Sequence, residues 1–167
     1  MMNFNFNVSE LIFVMPELFL LAAISCILLF DLYVKEELKK FTYHLSQLAL
    51  LITGLLAFNL IGESATIFSG TFVLDTLGST FKVFIAGFSI IALVYSRHYL
   101  SVHGLLRNEY FILALMSILG MLVMVSGHSL LTLYLGLEIM SLSLYALIAT
   151  ARDRAFAIEA ALKYFVL

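Results

Sequence analysis

The sequence predicts an all-α protein, a polytopic bundle of transmembrane helices with five complete spans and a truncated sixth. Three observations point there. The 167 residues are 63% hydrophobic and only 12% charged, with a mean hydropathy of +1.08, a balance outside the range of soluble domains. Apolar runs recur at about the ~20 residues needed to cross a bilayer core as a helix. Finally, Lys35, Lys39, Lys40, Arg97, Arg107, Arg152 and Arg154 all fall in alternate loops, and the intervening loops carry no cation. One missed or invented helix would scatter these cations across both sides, so the alternation supports the spans themselves. It also places the cationic loops on the cytoplasmic side or its equivalent and the N-terminus outside.

Residues 1–10 contain no Lys or Arg, and no small-residue cleavage site follows, so the first apolar stretch does not read as a secretory signal. Asn7-Val8-Ser9 matches a glycosylation acceptor, a pattern short enough to arise by chance. The first span runs from Leu11 to Tyr33, with Pro16 tolerated in an opening turn. Glu17 falls near the outer boundary and Asp31 near the inner one. Glu17 reads as a snorkelling or capping carboxylate, the other use being to line an aqueous entrance.

A charged turn, Lys35 to Lys40, leads to the second span, Tyr43 to Ile61. Gly62 to Asp75 is a polar link with Glu63 and Asp75. The third span, Leu77 to Tyr99, contains Lys82 on a face shared with Asp75, Ser79, Ala86, Ser89 and Ser96, small and polar residues suited to helix contact. Lys82 is expected to face protein, and at a depth of about two turns from the outer edge a snorkelling lysine and a functional one stay equally open, which makes it a secondary site candidate. After the loop Arg97 to Arg107 comes a fourth span, Tyr110 to Val125, and Ser126-Gly127-His128-Ser129 then turns the chain back into the fifth, Leu131 to Ala149. A sixth helix starts near Phe156. The residues to Leu167 are too few to cross a ~30 Å core at ~1.5 Å each, so the chain is expected to be a fragment.

Chemistry is concentrated in the fifth span. Glu138 is the one acid in an apolar run, and a carboxylate at that depth costs roughly 2.5–3.5 kcal/mol on insertion scales. Tyr134, Glu138, Ser141 and Tyr145 lie on one helical stripe, which is expected to face other helices or internal water. Glu138 is thus a candidate for proton or charge coupling, against the alternative of a neutral hydrogen-bonded staple between helices. Glu159 and Lys163 stand at i and i+4 with the acid first, the favourable order for an intrahelical pair. Lys163 also enters to about the depth of Glu138, where its charge would lower the acid's proton affinity while desolvation raised it; both readings of Lys163 stay open.

Several classes are excluded. A net charge of −2 without a basic cluster gives no footprint for nucleic acid. Cys26 is alone, so neither an internal disulfide nor a cysteine metal site is available, and His44, His98, His103 and His128 lack ligand spacing. There is no phosphate loop, HExxH or nucleophile elbow, and the loops are too short to hold an active site of their own.

The strings LLTLYLGLEIMSLSLYALIA and EAALKYFVL, joined by a short basic loop, resemble the antiporter-like membrane subunits of proton-pumping NADH:quinone oxidoreductase, respiratory complex I. Within that family the resemblance is to the subunits called N in bacteria and 2 in mitochondria. MPELFLL in the first span, FVLDTLGSTFK before and into the third, and the RHYL that closes it fit as well. The resemblance implies a fold of about fourteen helices with two inverted five-helix repeats. Residues 1–108 would supply three leading helices and 109–167 the incomplete start of the first repeat.

The resemblance implies that Glu138 is the fifth-helix acid that pairs with a lysine on a later helix during pumping, and that Lys163 is the sixth-helix lysine near the same hydrated axis. The family's seventh-, eighth- and twelfth-helix basic residues would lie beyond Leu167. NADH, FMN, iron–sulfur clusters and quinone would be bound by partner subunits, none by this chain. Its partners would be the other membrane-arm subunits, in a hetero-oligomer, and the lipid bilayer. The location would be a bacterial cell inner membrane, multi-pass with the N-terminus periplasmic, or an organellar inner membrane. Readings kept beside this one are a subunit of a cation/proton antiporter or of a membrane-bound hydrogenase, and a non-transporting membrane scaffold.

Overall fold

A computed structural model describes residues 8–33, 40–103, 107–150 and 155–166. The predicted charged turn falls almost wholly outside the described residues, as do Arg152 and Arg154. The elements run α1 (Met15–Tyr33), α2 (Lys40–Asn59), β1 (Ala65–Ile67), β2 (Phe72–Leu74), α3 (Thr76–Val102), α4 (Asn108–Ser126), α5 (Leu130–Ala149) and α6 (Ala155–Val166). A 3₁₀ segment, Val8–Val14, leads into α1. The first five helices are all long and apolar enough to cross a membrane, in agreement with the spans read from the sequence.

Local chemistry sets the helix ends. Pro16 sits in the first turn of α1, where its missing N–H is not needed. Asp75 caps α3 by accepting from the Gly78 N–H at 2.7 Å, and Ser129 caps α5 by accepting from Thr132 N–H at 3.1 Å.

The core is built around α4, which packs against α1, α2, α3 and α5. Leu20, Ile24 and Ile27 of α1 and Ala49 and Leu50 of α2 close on Phe111, Leu115, Ile118, Leu119 and Leu122 of α4. The period of three to four in each set is that of one helix face. On α2, the buried hydroxyls of Ser46 and Thr53 donate back to the carbonyls of Thr42 (2.7 Å) and Ala49 (2.8 Å), which lets polar residues occupy that face without partners on other helices. The outward faces carry large apolar side chains, among them Leu51, Leu55, Phe84, Phe88 and Ile91, as a lipid-facing surface requires.

α4 and α5 approach most closely where Gly120 meets Gly136. A Cβ at Gly120 would lie 2.6 Å from the Met140 nitrogen and 2.7 Å from the Gly136 carbonyl oxygen, so the two backbones touch. The short turn between these helices, foreseen as a tight reversal, makes them antiparallel neighbours.

The two ends of the bundle differ. At one, the Asp31 carboxylate accepts from Thr42 Oγ1 at 3.0 Å and Asn108 Nδ2 at 2.8 Å, tying α1, α2 and α4 together, while Arg97 lies over the Tyr43 ring at 4.2 Å. At the other, the link between α2 and α3 is an antiparallel hairpin, with Ala65 opposite Leu74 and Ile67 opposite Phe72. The sequence reading had no strands here. The hairpin also reaches the α4–α5 turn, through a bridge between Phe72 and Gly127 and a bond from His128 N–H to the Thr71 carbonyl at 3.0 Å. Ile67 and Phe72 pack with Val14 beneath it.

Candidate functional site

The predicted stripe exists on α5, but this chain covers it only in part. Glu138 is half-buried, and Tyr134, one turn before it on the same helix face, is 61% exposed. The Ser141 hydroxyl donates to the Glu138 backbone carbonyl at 3.3 Å, an intrahelical bond that leaves the carboxylate itself untouched. Tyr145, half-buried, meets α6 edge-on through Tyr164 (ring centroids 5.0 Å apart) and Phe165 (5.3 Å). The stripe therefore runs from an open phenol and acid to an aromatic contact with α6.

On α6 the lysine takes the local partner. Lys163 Nζ lies 2.6 Å from Glu159 Oε1, with side chains 71% and 60% exposed. The structure thus brings Tyr134 to Glu138, Tyr145 to α6 and Lys163 to Glu159, and the ion pair described for Lys163 is not with Glu138. A phenol and a carboxyl one helical turn apart can share a hydrogen bond in which the phenol donates.

Lys82 does not snorkel. It is 1% exposed, and its Nζ lies 2.6 Å from Glu17 Oε1, so that α1 and α3 share a buried ion pair at the hairpin end. Glu17, 4% exposed in the first turn of α1, likewise does not snorkel; it also accepts from Ser126 Oγ of α4 at 3.3 Å. The snorkelling readings of both residues fail for one physical reason: the small residues that flank Lys82, Ser79 (0%) and Ala86 (2%), let α3 pack too closely for the side chain to escape. Sequence reasoning placed Glu17 and Lys82 separately at the outer boundary without pairing them. The available signal was two opposite charges at matched depth in neighbouring apolar spans. Among the described residues, no three His, Cys, Asp or Glu side chains converge as a metal ion would require.

Residues 127–167 match the family model described as NADH:quinone oxidoreductase/Mrp antiporter, transmembrane. Similar proteins include NADH-quinone oxidoreductase subunit N from Ruthia magnifica, 63% identical over 100% of this chain and 35% of that protein. Subunit N from Alkalilimnicola ehrlichii is 46% identical over 92% of this chain and 32% of the relative. The chain spans about a third of the length of these relatives. Among solved structures, respiratory complex I from Thermus thermophilus with bound aureothin contains a chain that superposes with a TM-score of 0.72 at 24% identity, covering 91% of this chain and 32% of that one. At that identity the likeness establishes the fold.

Proposed function

We propose, from the premise that this chain belongs to the NADH-quinone oxidoreductase subunit N family, that it forms part of a membrane-arm subunit which couples quinone reduction in partner subunits to proton translocation. The full-chain match at 63% identity to subunit N favours this over a cation/proton antiporter, a hydrogenase subunit or a passive scaffold. Electron transfer from NADH through FMN and iron–sulfur clusters to quinone belongs, in this reading, to the partners. This chain contributes no redox group and takes part as a membrane-embedded member of a hetero-oligomer.

The observation that carries the reading is the half-buried Glu138 carboxyl, placed mid-helix in an apolar span beside the Tyr134 phenol and within the residues matched by the family model. In apolar surroundings a carboxylate's ionisation follows small changes in nearby charge and water. Glu138 holds or yields the proton, and Tyr134 steadies the ionised form. Tyr145 sets the packing of α5 against α6, and the Ser141 hydroxyl, bonded to the Glu138 carbonyl, keeps its polarity within the stripe. Lys163 supplies a positive charge whose influence on Glu138 depends on whether Glu159 holds it. Residues 1–108 serve as three leading helices and 109–167 open the first five-helix repeat. The N-terminus lies on the periplasmic side of the bacterial inner membrane.

The test is replacement of Glu138 by Gln or Ala in the full-length protein within its complex, with proton pumping and quinone reductase activity measured together. Glu138→Gln is expected to lower protons moved per electron pair while the complex still assembles. Pumping equal to the parent's in both variants would overturn the role of Glu138.

A further inference from the structure

At the hairpin end, away from Glu138, two buried polar atoms, Glu17 Oε2 and Ser79 Oγ, have no hydrogen-bond partner in the protein, and Lys82 Nζ has only its ion pair with Glu17 and the face of Phe72. The contact of Lys82 with Glu17 Oε1 at 2.6 Å engages at most one of the ammonium's three donors, so two stay without a hydrogen-bond acceptor. Ser79 is 0% exposed, Lys82 1% and Glu17 4%, so bulk water does not reach them. Phe72 of the hairpin closes the site from above, its ring centroid 5.1 Å from Lys82 Nζ. Buried polar groups left this way destabilise a fold, charged ones most, and native proteins place ordered water where such groups gather.

We propose that Glu17, Ser79 and Lys82 form an internal water-binding site beneath Phe72, a hydrated ion pair separate from the α5 stripe. The chemistry selects the ligand. Glu17 Oε2 only accepts, Lys82 only donates, and Ser79 Oγ does both, so the occupant must itself donate and accept. The pair is already neutral as a unit, so a bound cation or anion would unbalance it. Water meets both conditions. Hydration also explains how an ion pair persists at under 6% side-chain exposure on both partners, because water completes the hydrogen bonding that a buried pair needs to offset its desolvation.

The full-length protein in its membrane complex, determined at a resolution that shows ordered solvent, is expected to carry water within hydrogen-bonding distance of Glu17 Oε2 and Ser79 Oγ. A second measurement is infrared difference spectroscopy on exchange into H₂¹⁸O. The parent protein is expected to show a strongly hydrogen-bonded water O–H band that is lost in Ser79→Ala, a small change that leaves the ion pair in place, and in the double variant Glu17→Gln/Lys82→Met. A dry site with Glu17 Oε2 bonded to a protein group, or a water band identical in the parent and both variants, would overturn the proposal. Neither outcome depends on what Glu138 does in pumping.

Discussion

Glu138 and Lys163 lie on neighbouring helices but draw on different surroundings. Glu138 shares its stripe with hydroxyl side chains and no opposite charge is described beside it, whereas Lys163 already has a carboxylate at 2.6 Å. An exposed i, i+4 pair of that kind contributes about 0–1 kcal/mol, so Glu159→Gln is expected to leave assembly of the complex unchanged and to free the lysine. If the Lys163 charge acts on Glu138, Lys163→Met lowers the pumping rate in membrane vesicles more than Glu159→Gln does. Equal rates in the two variants would assign Lys163 to local pairing alone. At this scale the sequence revealed which side chains are chemically unusual, because single charges in apolar runs stand out. It did not reveal which of them meet: depth along a span can be counted from its ends, but the direction each helix presents depends on packing with its neighbours. That is why Lys82 and Glu17 were each legible while their pairing was not.

For the helices themselves, length and hydropathy were enough, and the spans agree with α1 to α5 to within a few residues. The hairpin escaped because strands of three residues are too short for alternation to register, and their stability comes from distant partners: Phe72 bridges Gly127, and Ile67 packs on Val14. Helix contacts carry a sharper prediction. Gly120→Ala would drive a Cβ to 2.6 Å from the Met140 backbone nitrogen, an atom that moves only if α5 moves, whereas Gly54→Ala meets the Ala86 Cβ at 3.2 Å, which a slight shift relieves. Overpacking of the first kind costs typically 1–3 kcal/mol. Gly120→Ala is therefore expected to lower thermal stability of the purified full-length protein well below that of Gly54→Ala, and equal melting temperatures would mean that α4 and α5 separate without penalty. The cap at Asp75 gives a smaller effect: Asp75→Ala removes the bond to the Gly78 N–H and is expected to destabilise α3 by about 0.5–2 kcal/mol in the same assay.

Across the whole molecule the bundle is fastened by different chemistry at each end, and the difference bears on how it sits in the membrane. Asp31, Thr42 and Asn108 join three helices at one end, with Arg97 and Arg107 nearby in the chain; the other is closed by the hairpin, where Glu63 and Thr66 are exposed. Cations favour the cytoplasmic side, so the proposed orientation puts the hairpin end outside, and labelling tests it. A cysteine at Thr66 in a full-length chain otherwise free of cysteine, with Cys26→Ala among the changes, should react with a membrane-impermeant maleimide in cells whose outer membrane alone has been opened. A cysteine at His98, exposed towards the opposite end, should stay unlabelled until the inner membrane is broken. Interchanged labelling would reverse the orientation. Tyr134, near the start of α5 and towards the hairpin end, would then lie on the cytoplasmic side of Glu138, and the direction of the proposed proton path would have to be reversed with it.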